Sequence, residues 1–500
     1  MTQTTFFRSS IEPVLKPDLA PPAHEYWSWK PIVIWGGLIA LASLAFYIPG
    51  IVRPMMLWDD FEIVRRSWTW QDTLANLWYP ANEHSMPLGR LTEWLMVCIA
   101  GDLSNVAFVN AFQGPLALLG GLVLIYRFVW RELGHPFAGL LAMGLYGVSA
   151  QYMEAVYWFS ASYSVLSMDM LLLGLLAAQS WLRTGKKRHL FWAAFWSLLS
   201  PGWFAIGVLA GPLISLYLLA DRVLQWKRLG REVAPCFVPF LGTFISLAIT
   251  LPNNIGLLLG HQPHIGPGES MHFDPLKGGL YTWRFFVDAL LPGEVGYPPF
   301  EAPDYMVTGR LMLALTLAAV GWYWARDRRL LVLGLGLVIL ASWLPLSGRA
   351  YRDYGEIFAW KRYRLLPHLG VVFYLCGALI PRLLQLGDRL TMKQCHFLVV
   401  AALTLQIALQ VPLALHPPFD SYEDQVKQFR EVDRVRALCR LHHISGEQAR
   451  EVLPSMALSE CDREFGGKRI EGYDFVEGSP KPTAHSSDEA RELLMGRGSP

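Results

Sequence analysis

Apolar residues in this chain fall in long unbroken blocks divided by short polar stretches, and no block alternates as a half-buried strand would. The first block, Pro31 to Val52, has about the twenty residues a helix needs to cross a bilayer. Blocks of the same kind predict spans near Val106–Trp130, Pro136–Gln151, Ser162–Leu182, His189–Ser200, Trp203–Ala220 and Ala234–Leu251. Four more are predicted near Val307–Ala325, Leu330–Leu346, Tyr363–Leu384 and Cys395–Leu415. The expected fold is an all-α polytopic membrane protein with about eleven transmembrane helices. Leu88–Ala100 is apolar but too short to span and reads as a partly embedded helix. Between Gly279 and Leu291, residues Leu280, Trp283, Phe286, Val287 and Leu290 recur at helical spacing, which predicts an amphipathic helix along the membrane surface.

Charge fixes the orientation of these spans. The first thirty residues are polar and Pro-rich, so no cleavable leader is expected at Met1. Basic clusters at Arg183 to Arg188, at Arg222, Lys227, Arg228 and Arg231, and at Arg326 to Arg329 should all be cytoplasmic. Both flanks of His189–Asp221 are basic, so the chain crosses an even number of times there, with Pro201-Gly202 as the natural reversal. This gives a cytoplasmic segment 1–30, a membrane domain 31–415 with external loops 53–105, 252–306 and 347–362, and an external tail 416–500. Composition agrees: 53% of the 500 residues are hydrophobic and 17% charged, where a soluble protein carries about a quarter charged. A net charge of +2 without a basic arm gives no support for nucleic-acid binding. The absence of a P-loop or dinucleotide fingerprint leaves ATP-driven transport without support.

One basic group breaks the topology rule. Arg349, Arg352, Lys361, Arg362 and Arg364 fall on the external side. They serve either lipid head groups or a lipid-linked phosphate, for which guanidinium forks are well suited.

The acidic counterpart lies just past the first span, in Leu57-Trp58-Asp59-Asp60-Phe61-Glu62, followed by His84-Ser85-Met86-Pro87-Leu88-Gly89-Arg90. Carboxylates this close to hydrocarbon must face water or a polar cavity. Paired acids here either cap the interface, pairing with Arg65 and Arg66, or do chemistry. The order of an Asp pair after the first span, His-x-x-Pro-Leu, and Lys361-Arg362-Tyr363-Arg364-Leu365-Leu366-Pro367 resembles the membrane glycosyltransferases of the C superfamily (GT-C). These include the protein O-mannosyltransferases and aminoarabinose transferases. The resemblance implies a transferase that takes a sugar from a polyprenyl-phosphate donor to an acceptor hydroxyl of a lipid, glycan or protein. Its expected place is the external face of a bacterial inner membrane. One Asp of this loop is then the base, either Asp59 or Asp60, with Asp59, the first of the pair, favoured and Asp60 or Glu62 orienting the acceptor or a bound divalent cation. His84, by its register with the family pattern, and Arg90 line the substrate site, while a lone His near an interface also reads as a hydrogen-bonded structural residue; Arg362 or Arg364 matches the family's arginine. Ser85 stands where the family has Arg, Asn110 echoes a family position, and the charged motif before the sixth span is replaced by Ser200-Pro201-Gly202-Trp203.

Other features add less. His261, His264, Glu269, His272 and Asp274 sit in a Gly- and Pro-rich stretch that reads as a substrate-covering loop, since its spacing matches no standard ligand pattern. Of six cysteines, Cys98, Cys236, Cys376 and Cys395 read as apolar filler, and Cys439 with Cys461 as a disulfide of the external tail. A lipid-linked-glycan polymerase or ligase would need no Asp pair, and a lipid or solute transporter would show repeated halves.

Overall fold

The computed structural model describes residues 29–48, 51, 60, 63–64, 66–81, 84–101, 103–225, 233–258, 273–290, 304–325, 328–350, 354, 357 and 361–387, and scattered positions from 397 to 410. All of them belong to one structural unit. The helices are α1 (Trp29–Ala45), α2 (Trp70–Ala75), α3 (Pro87–Ala100), α4 (Leu103–Leu133), α5 (Pro136–Gly147), α6 (Met153–Tyr157), α7 (Phe159–Thr184) and α8 (Lys187–Trp203). They continue as α9 (Ala210–Leu219), α10 (Val238–Leu258), α11 (Pro275–Leu290), α12 (Asp304–Trp324), α13 (Arg329–Gly348) and α14 (Leu365–Gly387). Among the described residues, strand pairing is confined to one antiparallel pair of two-residue strands, Pro80 opposite Ser85 and Ala81 opposite His84.

The helical membrane architecture expected from the apolar blocks is present. Among the described residues, five segments are long and apolar enough to cross a membrane: Phe108–Leu133, Phe159–Thr184, Ala205–Leu224, Arg329–Gly348 and Lys361–Pro381. The count of about eleven is not established, and the reason is length. Trp29–Ala45, Pro136–Gly147, Ala234–Thr250 and Leu311–Trp324 are apolar but shorter. At about 1.5 Å per residue, the 12 residues of α5 reach little more than half of a roughly 30 Å hydrocarbon layer. Most of the last expected span, Cys395–Leu415, lies outside the described residues, as does the whole tail 416–500.

Side-chain pairs set the directions. Gln113 bonds Ser162 (2.6 Å) at one end of α4 and α7, and Gln179 bonds the Phe128 carbonyl (3.1 Å) near the other, so the two helices run parallel. α8 returns antiparallel to α7, locked by a reciprocal pair in which the hydroxyls of Ser167 and Ser200 each donate to the other's carbonyl at 2.9 Å. The predicted reversal is found: Pro201 lies in the last turn of α8, and the chain turns through a 3-10 segment, Ala205–Leu209, into α9. Glycine is required in that turn, because a Cβ on Gly207 would lie 2.3 Å from the Ser200 carbonyl. α13 and α14 touch backbone to backbone, since a Cβ on Gly334 would meet the Gly370 carbonyl at 2.5 Å.

Charged groups collect at the two ends of this bundle. At one end Arg329 pairs with Glu132 (Nε to Oε1, 2.9 Å) and with Asp221 (Nη1 to Oδ1, 3.1 Å). Tyr217 and Gln179 donate to the other oxygen of Glu132 at 2.7 and 2.6 Å. Four helical segments are tied there. The opposite end carries α3, the short helix α6 and the start of α7. α6 is seated by close contact, because a Cβ on Gly114 of α4 would lie 2.1 Å from the Val156 carbonyl. Backbone cannot move aside as a flexible side chain would, so Gly114→Ala should destabilise the protein by about 1–3 kcal/mol. A thermal midpoint equal to wild type in detergent would contradict this packing.

Candidate functional site

Asp60 is fully buried, and its Oδ1 accepts a hydrogen bond from the backbone N–H of Ser160 at 2.9 Å. Ser160 is the second residue of α7, so the acid satisfies one of the N–H groups that a helix start leaves without an intrahelical partner. The positive end of the helix dipole favours a carboxylate there. Beside it, α3 buries Gly89, Arg90, Glu93, Val97 and Ala100, a single face at spacings of one helical turn. Arg90 is 1% exposed, and its Nη1 donates to the Ile63 carbonyl at 3.4 Å. Glu93 is fully buried and accepts from Asn110 Nδ2 at 3.3 and 3.5 Å. Ile63, Met86, Phe159 and Tyr163 form the apolar floor.

Burial pushes the Glu93 carboxyl up to about 8; the Asn110 amide opposes the shift, the Asp60 charge adds to it, and Arg90 pulls it back. The folded value lies above the ordinary 4.5, so the stability gained by keeping this group protonated is complete at low pH and lost as pH rises through about 8. Glu93→Gln stays neutral throughout. Its thermal midpoint should therefore fall less than that of wild type between about pH 5 and about pH 8.5; equal slopes would remove Glu93 as the titrating group.

The basic cluster meets the same segment of chain. Arg362 forms an ion pair with Glu154 of α6, and its backbone N–H donates to Glu154 Oε2 at 3.2 Å. The guanidinium lies 4.6 Å from the Trp158 ring centre and 5.1 Å from that of Tyr363. Arg364 is buried and donates to Gln151 Oε1 at 3.0 Å, while Arg349 Nε donates to the Tyr363 hydroxyl at 3.2 Å. Lys361 is half-buried in the same 3-10 turn, Lys361–Arg364. Gln151–Ser160 thus holds Arg364, Arg362 and Asp60 in turn.

No family model matches this chain, and no curated protein matches it. Of the residues singled out in the sequence, Asp60, Arg90, Arg362 and Arg364 gather around Gln151–Ser160 and α3, with Arg349 joined through Tyr363. Asp59, Glu62 and Arg352 lie outside the described residues, as does the side chain of His84, whose backbone forms part of the short strand pair. Glu93, Gln151 and Glu154 were not anticipated. A signal for Glu93 was available: an acid three residues after Arg90 in an otherwise apolar helix puts both on one face. Glu154 is the lone acid between two apolar blocks, which marks it only once Arg362 is seen against it.

Among the described residues no group of three His, Cys, Asp or Glu is placed to hold a metal ion. Within the expected His-rich loop, Asp274 alone is described. Its carboxylate caps α11, accepting from the N–H groups of Leu276 and Lys277 at 3.0 and 2.9 Å; His261, His264, Glu269 and His272 lie outside. α11 is a helix as predicted and packs on α13, with Phe285 buried against Leu346, Tyr354 and Ile357. Cys236 and Cys376 are buried and free and Cys98 is exposed and free, while Cys395, Cys439 and Cys461 lie outside the described residues.

Proposed function

We propose that the protein is a membrane glycosyltransferase that moves a sugar from a polyprenyl-phosphate donor to an acceptor hydroxyl in one inverting displacement, on the external side of a bacterial inner membrane. The observation that supports this reading is convergence. An acid from the first loop and two arginines from far along the chain are all bonded to Gln151–Ser160 at one end of the bundle. An acid to activate a hydroxyl and guanidinium groups to receive a leaving phosphate are the two charges this displacement needs.

In this reading Asp59 accepts the proton of the acceptor hydroxyl as that oxygen attacks the anomeric carbon. The bond from that carbon to the phosphate oxygen breaks on the opposite face, and the lipid phosphate leaves with the electron pair. Asp60, fixed by Ser160, anchors the loop so that its neighbour is held at the acceptor. Arg362 or Arg364 receives the phosphate, with Glu154 and the Trp158 ring holding the Arg362 guanidinium in place until the donor arrives. A divalent cation near Glu62 remains compatible with this chemistry. The acceptor is a lipid, a glycan or a protein.

The deciding experiment incubates the purified full-length protein with radiolabelled polyprenyl-phosphate sugars and follows release of the lipid phosphate. Release coupled to a new glycoside is expected. Donor that is flipped or bound but never cleaved would leave transport as the function, and growth of a glycan on lipid diphosphate would leave polymerisation.

A further inference from the structure

Around the first turn of α7, several buried polar atoms have no hydrogen-bond partner. Gln113, 4% exposed, and Asn110, 1% exposed, stand three residues apart on one face of α4. The Ser162 hydroxyl donates to the Phe159 carbonyl at 2.6 Å, so it can only accept from Gln113, which fixes the amide with Nε2 inward. Asn110 turns its Nδ2 to a Glu93 carboxyl oxygen at 3.3 Å. Both amide oxygens, Gln113 Oε1 and Asn110 Oδ1, are left without a partner, as are the indole N–H groups of Trp158 and Trp203.

These groups share one neighbourhood. Trp158 immediately precedes α7, Gln113 is bonded to its first turn, and Trp203 packs against the cluster of Ile63, Met86, Phe159 and Tyr163. Asp60 is bonded to the same turn. Buried polar groups are nearly always satisfied in folded proteins, and exceptions call for a cause. Two fixed acceptors and two fixed donors beside aromatic rings complement a ligand whose groups both donate and accept, which is the chemistry of vicinal hydroxyls.

We propose that Asn110, Gln113, Trp158 and Trp203 form the subsite for a hydroxyl-rich ring, the sugar carried by the lipid donor. The amide oxygens accept from its hydroxyls and the indoles donate to them. This rests on the transferase reading and adds to it the residues that recognise the sugar rather than the phosphate.

The test measures binding to the full-length protein in lipid nanodiscs. Its probes are polyprenyl-phosphate mannose, polyprenyl-phosphate glucose and bare polyprenyl phosphate. Trp158→Phe and Trp203→Phe keep the ring and remove only the N–H, and Gln113→Met removes the acceptor at similar length. Each variant that keeps its thermal midpoint should bind the better of the two sugar lipids about three- to tenfold more weakly, the worth of one neutral hydrogen bond, with bare lipid phosphate unchanged. Equal weakening of both lipids, or no change in any folded variant, overturns the subsite. If the wild type binds no lipid phosphate, the transferase reading falls separately. Free mannose and short glycans then judge the subsite, and it stands only if they bind wild type and are lost by Gln113→Met.

Discussion

Asp59→Asn should lower the proposed sugar transfer at least about a hundredfold, with the chain still folded and the lipid-phosphate donor still bound. Asn keeps the shape and hydrogen bonding of Asp and removes only its basicity, so the loss isolates proton abstraction. Asp60→Asn is the informative partner. Asp60 uses one oxygen on the Ser160 N–H, and the Asn carbonyl can take over that bond, whereas the charge beside Arg90 and Glu93 is lost. Its activity should fall less than that of Asp59→Asn, and its thermal midpoint should shift more. Turnover of a radiolabelled donor by both purified variants decides the matter. A folded Asp60→Asn protein that is the more crippled of the two would make Asp60 the base, and near-wild-type turnover in both would remove the first-loop acid from catalysis altogether.

The sequence was most legible where physics is one-dimensional. Unbroken apolar blocks locate helices because a buried helix needs no polar face, and the basic flanks of His189–Asp221 fixed the reversal that the Ala205–Leu209 turn supplies. Helix direction was equally readable, since α4 and α7 do run parallel. Span number was less so. Block length in sequence is not helix length in space, and Pro136–Gln151 yields only the 12-residue α5 before the chain breaks. The site was half legible. Asp60, Arg362 and Arg364 stood out as charges beside apolar blocks, but their partners did not. Ser160 contributes a backbone N–H and leaves no trace in side-chain chemistry. Glu154 reaches Arg362 across roughly two hundred residues of chain, a distance that periodicity does not carry. For Gln113, an amide in an apolar helix reads as a packing residue until the bond to Ser162 fixes which way it points.

Arg329→Ala should lower stability by about 3–5 kcal/mol, the usual loss when one member of a buried ionic group is removed. Arg329 is 13% exposed at its side chain and bonds two carboxylates, Glu132 and Asp221, that are 3% and 6% exposed. Without the guanidinium these two acids lose their shared counter-charge in a poorly hydrated setting, although Tyr217 and Gln179 still donate to Glu132. Removing all three charges together, as Arg329→Met with Glu132→Gln and Asp221→Asn, should recover most of the loss, because desolvating the ions costs nearly what their attraction returns. Equilibrium unfolding in mixed detergent micelles measures both. This network lies at the end of the bundle away from Asp60, so sugar transfer by the folded fraction of Arg329→Ala should match wild type. A variant within about 0.5 kcal/mol of wild type would show that packing such as that between Gly334 and Gly370, not charge, holds these helices together. A stable variant with lost transfer would instead tie this end of the protein to the chemistry at the other.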